Sequence, residues 1–170
     1  MRFLTIVRHA HAEKPTSDKR DFNRNLSHRG RRQCEQLRAW ASDENELARF
    51  GPATALVSAA ARTKETFQLA LEGTPLVGDH VFSELIYNGV RAVSAEEVLI
   101  ELVSVDPVTT SLLIVGHDPT LAELLWSLAR ELPVSPREGF PLAGAFVLAI
   151  PEDHPIGLDK YDVVASYVPH

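Results

Sequence analysis

The chain has 170 residues, 45% of them hydrophobic, which is enough for one core and too few for two ordinary domains, so one domain spanning 1–170 is expected. Its 17 Lys and Arg against 23 Asp and Glu give a formal charge of -6, which disfavours nucleic acid and anionic membranes as partners and confines any anion site to a local pocket. One cysteine, Cys34, excludes an intramolecular disulfide, and no window approaches the ~20 apolar residues of a membrane span or carries a signal-peptide core, so the expected compartment is the cytoplasm.

The first predicted strand is Arg2 to Val7, whose apolar run Phe3-Leu4-Thr5-Ile6-Val7 delivers Arg8 and His9 at its end. The polar stretch from Ala12 to Asn25, with Lys14, Asp18, Lys19, Arg20, Asp21 and Arg24, reads either as a plain solvated loop or as a flap bordering His9. A first helix starts with Ser27 as N-cap and repeats Cys34, Leu37 and Ala41 at helical spacing, which makes Cys34 a core residue. A second strand, about Ala53 to Val57, runs into Ser58, which either contacts phosphate or, the favoured reading, caps the segment after it. That segment, Ala61 to Leu71, places Phe67, Ala70 and Leu71 on one helical face and stops at Gly73.

Past Pro75 and Gly78 comes a short extended piece near Val81. Ser94-Ala95-Glu96-Glu97 matches a capping box, opening a helix with Val98, Leu99, Leu102 and Val103 as its buried stripe. The most apolar strand, Ser111 to Val115, is expected at the centre of the sheet, buried on both faces. Asp118-Pro119 reads as an N-cap followed by proline at the first helical position, with Leu121, Leu124, Leu125 and Leu128 packing inward. Pro133, Pro136 and Pro141 mark a loop, and Ala145 to Ile150 and Tyr161 to Val168 read as two further strands, one of them antiparallel at an edge. Alternating strands and helices predict an α/β fold with a mostly parallel sheet.

Three strand ends thus carry Arg8 with His9, Ser58 with the nearby Arg62, and Gly116 with His117. Val7-Arg8-His9-Ala10, Leu26-Ser27-His28-Arg29-Gly30, Ser58-Ala59-Ala60-Ala61-Arg62-Thr63 with Thr66, Val115-Gly116-His117 and Phe140-Pro141 succeed one another in this order. Together they resemble the histidine phosphatase superfamily, and most closely its small SixA-type protein-histidine phosphatase branch. The resemblance covers nearly the whole chain and departs at Ala10, where the family's Arg-His-Gly motif has glycine. It implies a phosphoglycerate mutase-like single domain with helices on both faces of the sheet, and metal-independent hydrolysis without a cofactor. By the same resemblance His9 is the nucleophile that becomes phosphohistidine. Arg8 and Arg62, with His9 and His117, bind the phosphate. The family's acid precedes the third main helix, which points to Glu84 in Ser83-Glu84-Leu85-Ile86-Tyr87.

These residue types suit phosphoryl transfer. Near neutral pH an imidazole offers an unprotonated ring nitrogen without a strong base, and two guanidiniums favour its neutral form further. A planar guanidinium fork holds two phosphate oxygens and stays cationic. An alkoxide leaving group needs a good acid, whereas imidazole departs with little help, so the quality of the acid reports on the substrate. The small chain leaves few residues for enclosing a metabolite, which favours phosphohistidine on a protein. The alternatives are a small-molecule phosphatase acting on a sugar or nucleotide phosphate and a phosphate-recognition module without turnover. His9-x-His11 also fits the start of a metal site, but the later strand-end positions offer Arg62, which repels a cation. His11 then borders the pocket or is exposed. His28, His80, His154 and His170 stand in polar or turn contexts and read as structural or surface residues.

Overall fold

A computed structural model describes residues 1–89, 91–105, 111–135, 137–152 and 154–169; the predicted loop marker Pro136 and the surface histidine His170 lie outside them. In chain order the elements are β1 (Arg2–Arg8), α1 (His28–Ala41), α2 (Glu44–Leu47), β2 (Ala53–Ser58), α3 (Ala61–Ala70), β3 (Val77–Ser83), α4 (Ala95–Val105), β4 (Ser111–Gly116), α5 (Thr120–Leu128), β5 (Ala145–Ile150) and β6 (Asp162–Tyr167). Single 3-10 turns form at Asp21–Asn23 and Ala48–Phe50.

Period-two alternation along the strands sorts their side chains into two buried layers. Leu4, Ile6, Leu56, Leu112 and Ile114 face α4 and α5, which contribute Val98, Leu102, Leu121, Leu125 and Leu128. Val7, Ala55, Val57, Leu113 and Val115 face the other way, against Cys34 and Leu37 of α1 and Phe67 and Ala70 of α3. Burial pushes the Cys34 thiol up to about 12, as befits a core group and not a nucleophile.

The six strands run in the order β3-β2-β4-β1-β5-β6. β1 to β4 are mutually parallel, β5 is antiparallel to β1, and β6 is antiparallel to β5. One strand therefore opposes the other five. The antiparallel strand is not at the edge as expected. β5 is buried along nearly its whole length and needs neighbours on both sides, whereas β6 alternates exposed and half-buried residues and takes the edge. β3 is also longer than the short piece predicted near Val81, because it adds to β2 as the opposite edge strand.

Ser27 caps α1 by accepting from the Gly30 amide at 3.1 Å, and Glu97 N donates to Ser94 Oγ at 3.1 Å at the start of α4. On α4 the expected stripe is one residue too wide: Val98 and Leu102 are buried, but Val103 is exposed. Helix α5 starts at Thr120 with Pro119 as the capping residue, one position later than predicted. Asp118 Oδ1 still accepts from Ala122 N at 3.3 Å, so the side chain performs the predicted capping from one residue further back.

The register pairs Val7 with Val115 and Val57 with Val115, so β1, β2 and β4 end level. The residues just past them share one rim, at the carboxyl ends where open α/β sheets bind ligands. Ala10 does not need the glycine it replaces: Ala143 is the one non-glycine with positive φ among the described residues, and the Ala10 amide donates to Thr66 Oγ1 at 3.0 Å.

Gly30 has a different constraint. A Cβ there would lie 2.0 Å from the His11 carbonyl oxygen, which is backbone and cannot swing aside. Gly30→Ala is expected to cost about 1–3 kcal/mol through forced backbone movement. Urea unfolding should show the midpoint falling at unchanged slope.

Candidate active site

Arg8 and His9 leave β1, His117 leaves β4, and Arg62 stands in the first turn of α3 beyond β2. All four line one cavity of about 390 Å³, together with His11, Arg24, Asn88 and Asp118. The His9 and His117 rings are 5.3 Å apart between centroids. The backbone around them is fixed from two sides: His9 N donates to Gly116 O at 3.2 Å, and Ala143 N donates to His9 O at 3.2 Å. Ala143 sits at φ 53, the left-handed region, in the turn before β5 that also accepts from Arg8 N through Gly144 O.

His9 Nδ1 lies 2.7 Å from the Ala10 carbonyl, which can only accept, so Nδ1 carries the hydrogen and Nε2 of the neutral ring is left with its lone pair. Burial, with the charges of Arg62, Arg8 and Arg24 added, pushes the His9 pKa down to about 3. His117 is 3% exposed and its Nε2 meets Ser58 Oγ at 2.7 Å. Burial, then His9, Arg62 and Arg8, bring its pKa down to about 2. The Ser58 hydroxyl can donate to Nε2 or accept from it; when it donates, the His117 proton resides on Nδ1, a buried atom without a hydrogen-bond partner. Arg8 Nε and Arg62 Nε are likewise buried and unpartnered. Orphaned donors of this kind, grouped in one cationic cleft, are the chemistry of an anion site.

Part of the guanidinium capacity is committed. Arg8 Nη1 donates to Phe140 O at 2.7 Å; burial lowers the Arg8 pKa, Asp118 opposes the shift and Arg62 adds to it. Arg62 reaches Asp21 O at 3.0 Å and Asp21 Oδ2 at 3.1 Å. Arg24 donates to Asp21 Oδ1 at 2.7 Å, and the Tyr87 hydroxyl donates to Asp21 Oδ2 at 2.6 Å. Burial alone would raise the Asp21 carboxyl, but Tyr87, Arg24 and Arg62 hold it well below the usual carboxylate range. The Ala12 to Asn25 stretch therefore borders the cavity through Ala12 and Arg24, closed at its ends by the Ala12–Leu26 bridge and joined to Arg62 through Asp21.

The structure brings Arg8, His9, Arg62 and His117 together and leaves Glu84 outside the cavity lining. Glu84 is exposed, one residue past Ser83, which pairs with Ser58 at the same rim. Ser58 is not the expected cap: α3 begins after Ala60 with no side-chain cap, and the Ser58 hydroxyl serves His117 because β2 and β4 end side by side. His11 borders the cavity with Nδ1 held at 2.6 Å by Ser27 Oγ. Among the described residues no three His, Cys, Asp or Glu side chains gather as a metal cluster. Sequence reasoning misses Asp21, Arg24, Tyr87 and Asn88 as site residues. Their visible signal is thin: an acid and a base three apart in an otherwise polar loop, and an aromatic in the stretch already singled out for Glu84.

A family model for the histidine phosphatase superfamily (branch 1) matches residues 4–103. The chain belongs to the histidine phosphatase superfamily. No curated protein matches the sequence significantly. Among solved structures this histidine phosphatase is similar to a protein of Agrobacterium tumefaciens provisionally assigned as the phosphohistidine phosphatase SixA. That pair has 26% identity and a TM-score of 0.76, covering 99% of each chain. It shares its fold with a protein histidine phosphatase SixA complexed with tungstate, at 17% identity and TM-score 0.74 over 98% of this chain and 96% of that one. It also shares it with a mycobacterial glucosyl-3-phosphoglycerate phosphatase complexed with VO3, at 14% identity and TM-score 0.65 over 99% and 100%. The family match contains Arg8, His9, Arg62 and Glu84; His117 lies beyond it.

Both buried imidazoles of this phosphatase bind protons more weakly folded than unfolded, where the pKa is about 6.5. Between about 3 and 6.5 the unfolded chain therefore holds more protons, so their contribution to stability is complete above 6.5 and is lost as the pH falls. Unfolding free energy should drop with a slope of up to about 1.4 kcal/mol per pH unit for each imidazole. Urea titrations at pH 7, 6 and 5 should show a shallower slope for His117→Asn than for wild type.

Proposed function

We propose that the chain, read as one SixA-like domain over 1–170, is a metal-independent phosphatase that works through phospho-His9, with phosphohistidine on a protein as its substrate. The observation that carries the reading is the His9 ring itself: Nδ1–H is tied to Ala10 O, and the neutral Nε2 stands in a cleft lined by Arg8, Arg24 and Arg62. In the reaction the Nε2 lone pair attacks phosphorus as the bond to the leaving group breaks, and the leaving group departs with that electron pair and takes a proton. Water then attacks phospho-His9, releasing inorganic phosphate and restoring the imidazole. Arg8 and Arg62 hold the equatorial oxygens, and His117 Nδ1–H donates to one of them, stabilisation that grows as charge shifts in the transition state. That a related SixA binds tungstate and a related sugar-phosphate phosphatase binds VO3, both phosphate-like oxyanions, supports an oxyanion at this position.

Two features favour a phosphoramidate over an alkyl ester. Asp21 is held ionised by its partners, so it is a poor proton donor, and Glu84 lies at the rim instead of in the lining. The one carboxyl among the lining residues, Asp118, accepts from Ala122 N at the start of α5, and a site whose carboxyls are engaged or at the rim suits an imidazole leaving group better than an alkoxide. The likeness to the glucosyl-3-phosphoglycerate phosphatase keeps a small phosphorylated metabolite as the second reading.

Wild-type enzyme acid- and base-quenched during turnover of labelled phosphoramidate should carry acid-labile, base-stable phosphate, and His9→Ala should carry none and lose turnover. Chelator should leave the rate unchanged. Label on the His9→Ala protein assigns the nucleophile elsewhere, and abolition by chelator returns the metal reading.

In this proposal Glu84 is the donor for substrates that need one. Glu84→Gln should slow alkyl phosphate hydrolysis by roughly 10²-fold while barely changing phosphohistidine or nitrophenyl phosphate cleavage, compared under single-turnover conditions. Equal losses on all three would make its role structural, and no loss on any would move the acid elsewhere.

A further inference from the structure

A second, larger cavity of about 520 Å³ adjoins the active site. It is lined by Arg29, Arg32 and Gln33 of α1, by Leu142, and by Val168 and Pro169 just beyond β6. Leu142 also lines the active-site cavity, and Gln33 Oε1 accepts from His11 N at 2.8 Å, with His11 on the active-site side. A single partition, Leu142 and the Gln33–His11 pair, therefore separates the two. A polypeptide presenting one residue to His9 has this groove beside it for its neighbours.

The groove's charge is specific. Arg31 on the same helix pairs with Glu65 at 3.0 Å, and Arg38 donates to Leu69 O at 3.3 Å. Among the described residues, the Arg29 and Arg32 side chains have no ion pair or hydrogen bond, and none of those lining the cavity bears a carboxylate. In a chain of formal charge -6, Arg29 and Arg32 put two guanidiniums, unpaired among the described residues, in one cavity with the apolar Leu142, Val168 and Pro169. Forked donors of this kind select carboxylates, while Leu142, Val168 and Pro169 accept aliphatic side chains between them.

We propose that this groove docks an acidic, partly apolar segment flanking the phosphorylated residue of a protein substrate, with Arg29 and Arg32 pairing its carboxylates. This rests on the protein-phosphatase reading above. It adds substrate selection through KM without touching the chemistry at His9. Exposed pairs are individually weak and salt-sensitive, so reversal of both charges is the informative change.

The test uses two phosphohistidine peptides, one with glutamate-rich flanks and one with neutral flanks, together with phosphoramidate and an unphosphorylated copy of the acidic peptide carrying a fluorophore. For wild type, kcat/KM on the acidic peptide should exceed that on the neutral one at low salt. In the Arg29→Glu/Arg32→Glu variant it should fall at least ~10-fold, mainly through KM, with phosphoramidate turnover unchanged. Anisotropy should show the unphosphorylated peptide binding wild type and not the variant, and Arg29→Gln/Arg32→Gln should fall between them. Equal rates on the two peptides in wild type, or equal peptide binding by wild type and variant, overturn the groove. If wild type cleaves neither phosphopeptide, the protein-phosphatase reading fails, and the anisotropy arm still decides whether the groove binds acidic peptide.

Discussion

The Asp21 carboxylate is the interaction on which the site depends. Three guanidiniums share one partly buried cleft with two neutral imidazoles, and guanidinium charges so placed would repel one another and lose solvation without a counter-ion. Asp21 supplies it, accepting from Arg24, Arg62 and Tyr87 at once. The bonds also carry information about position. They bring a loop between β1 and α1, the first turn of α3 and the turn after β3 to one point, which fixes Arg62 from the side and leaves its Nε toward the interior.

That arrangement works because the sheet delivers its members level. The parallel register of β1, β2 and β4 sets Arg8, Ser58 and Gly116 at one edge, so His9 and His117 face each other without any loop having to reach. The same register turns Ser58 from a helix cap into the partner of His117. A slip of one residue would exchange the two faces of every strand and send Val115 and Val57 toward the wrong helices. Core packing and site geometry are therefore one constraint: the alternation that buries Leu113 and Val115 under α1 and α3 also sets where Gly116 and His117 emerge.

Legibility in the sequence tracks the range of the interactions. β1, β4, α1 and α4 announce themselves through apolar runs, Ser27 and Ser94, because capping and periodicity act over a few residues. His9, Arg62 and His117 are visible as strand-end or helix-start residues next to such runs. Asp21 and Tyr87 are not, since a pairing across 66 positions between a polar loop and a turn leaves no local pattern. The place of β5 escapes for a related reason: its burial is readable in Ala145 to Ile150, but burial on both faces excludes an edge only once β6 is known to pair beside it. Val103 shows the opposite limit. An apolar residue at helical spacing reads as core, yet α4 has room for only two of its expected stripe to be fully buried.

The depressed imidazole pKa values describe the cleft at rest, and they bear on the order of events in the proposed reaction. A neutral His9 is a nucleophile at once, with no proton to shed, and the ring that Ala10 O orients needs no rearrangement before attack. His117 begins neutral for the same electrostatic reason, but His9 and the guanidiniums contribute to its shift, and a phosphoryl dianion would oppose those charges directly. Arrival of the substrate thus favours protonation of His117, whose positive charge then strengthens its donation to the phosphoryl oxygens, while the lone pair of His9 is consumed by the new bond to phosphorus. In the proposed reaction two histidines with nearly the same surroundings take different roles: His9, tied through Nδ1 to Ala10 O, offers the Nε2 lone pair, while His117 is engaged through Nε2 by Ser58 and turns its other nitrogen to the phosphoryl group.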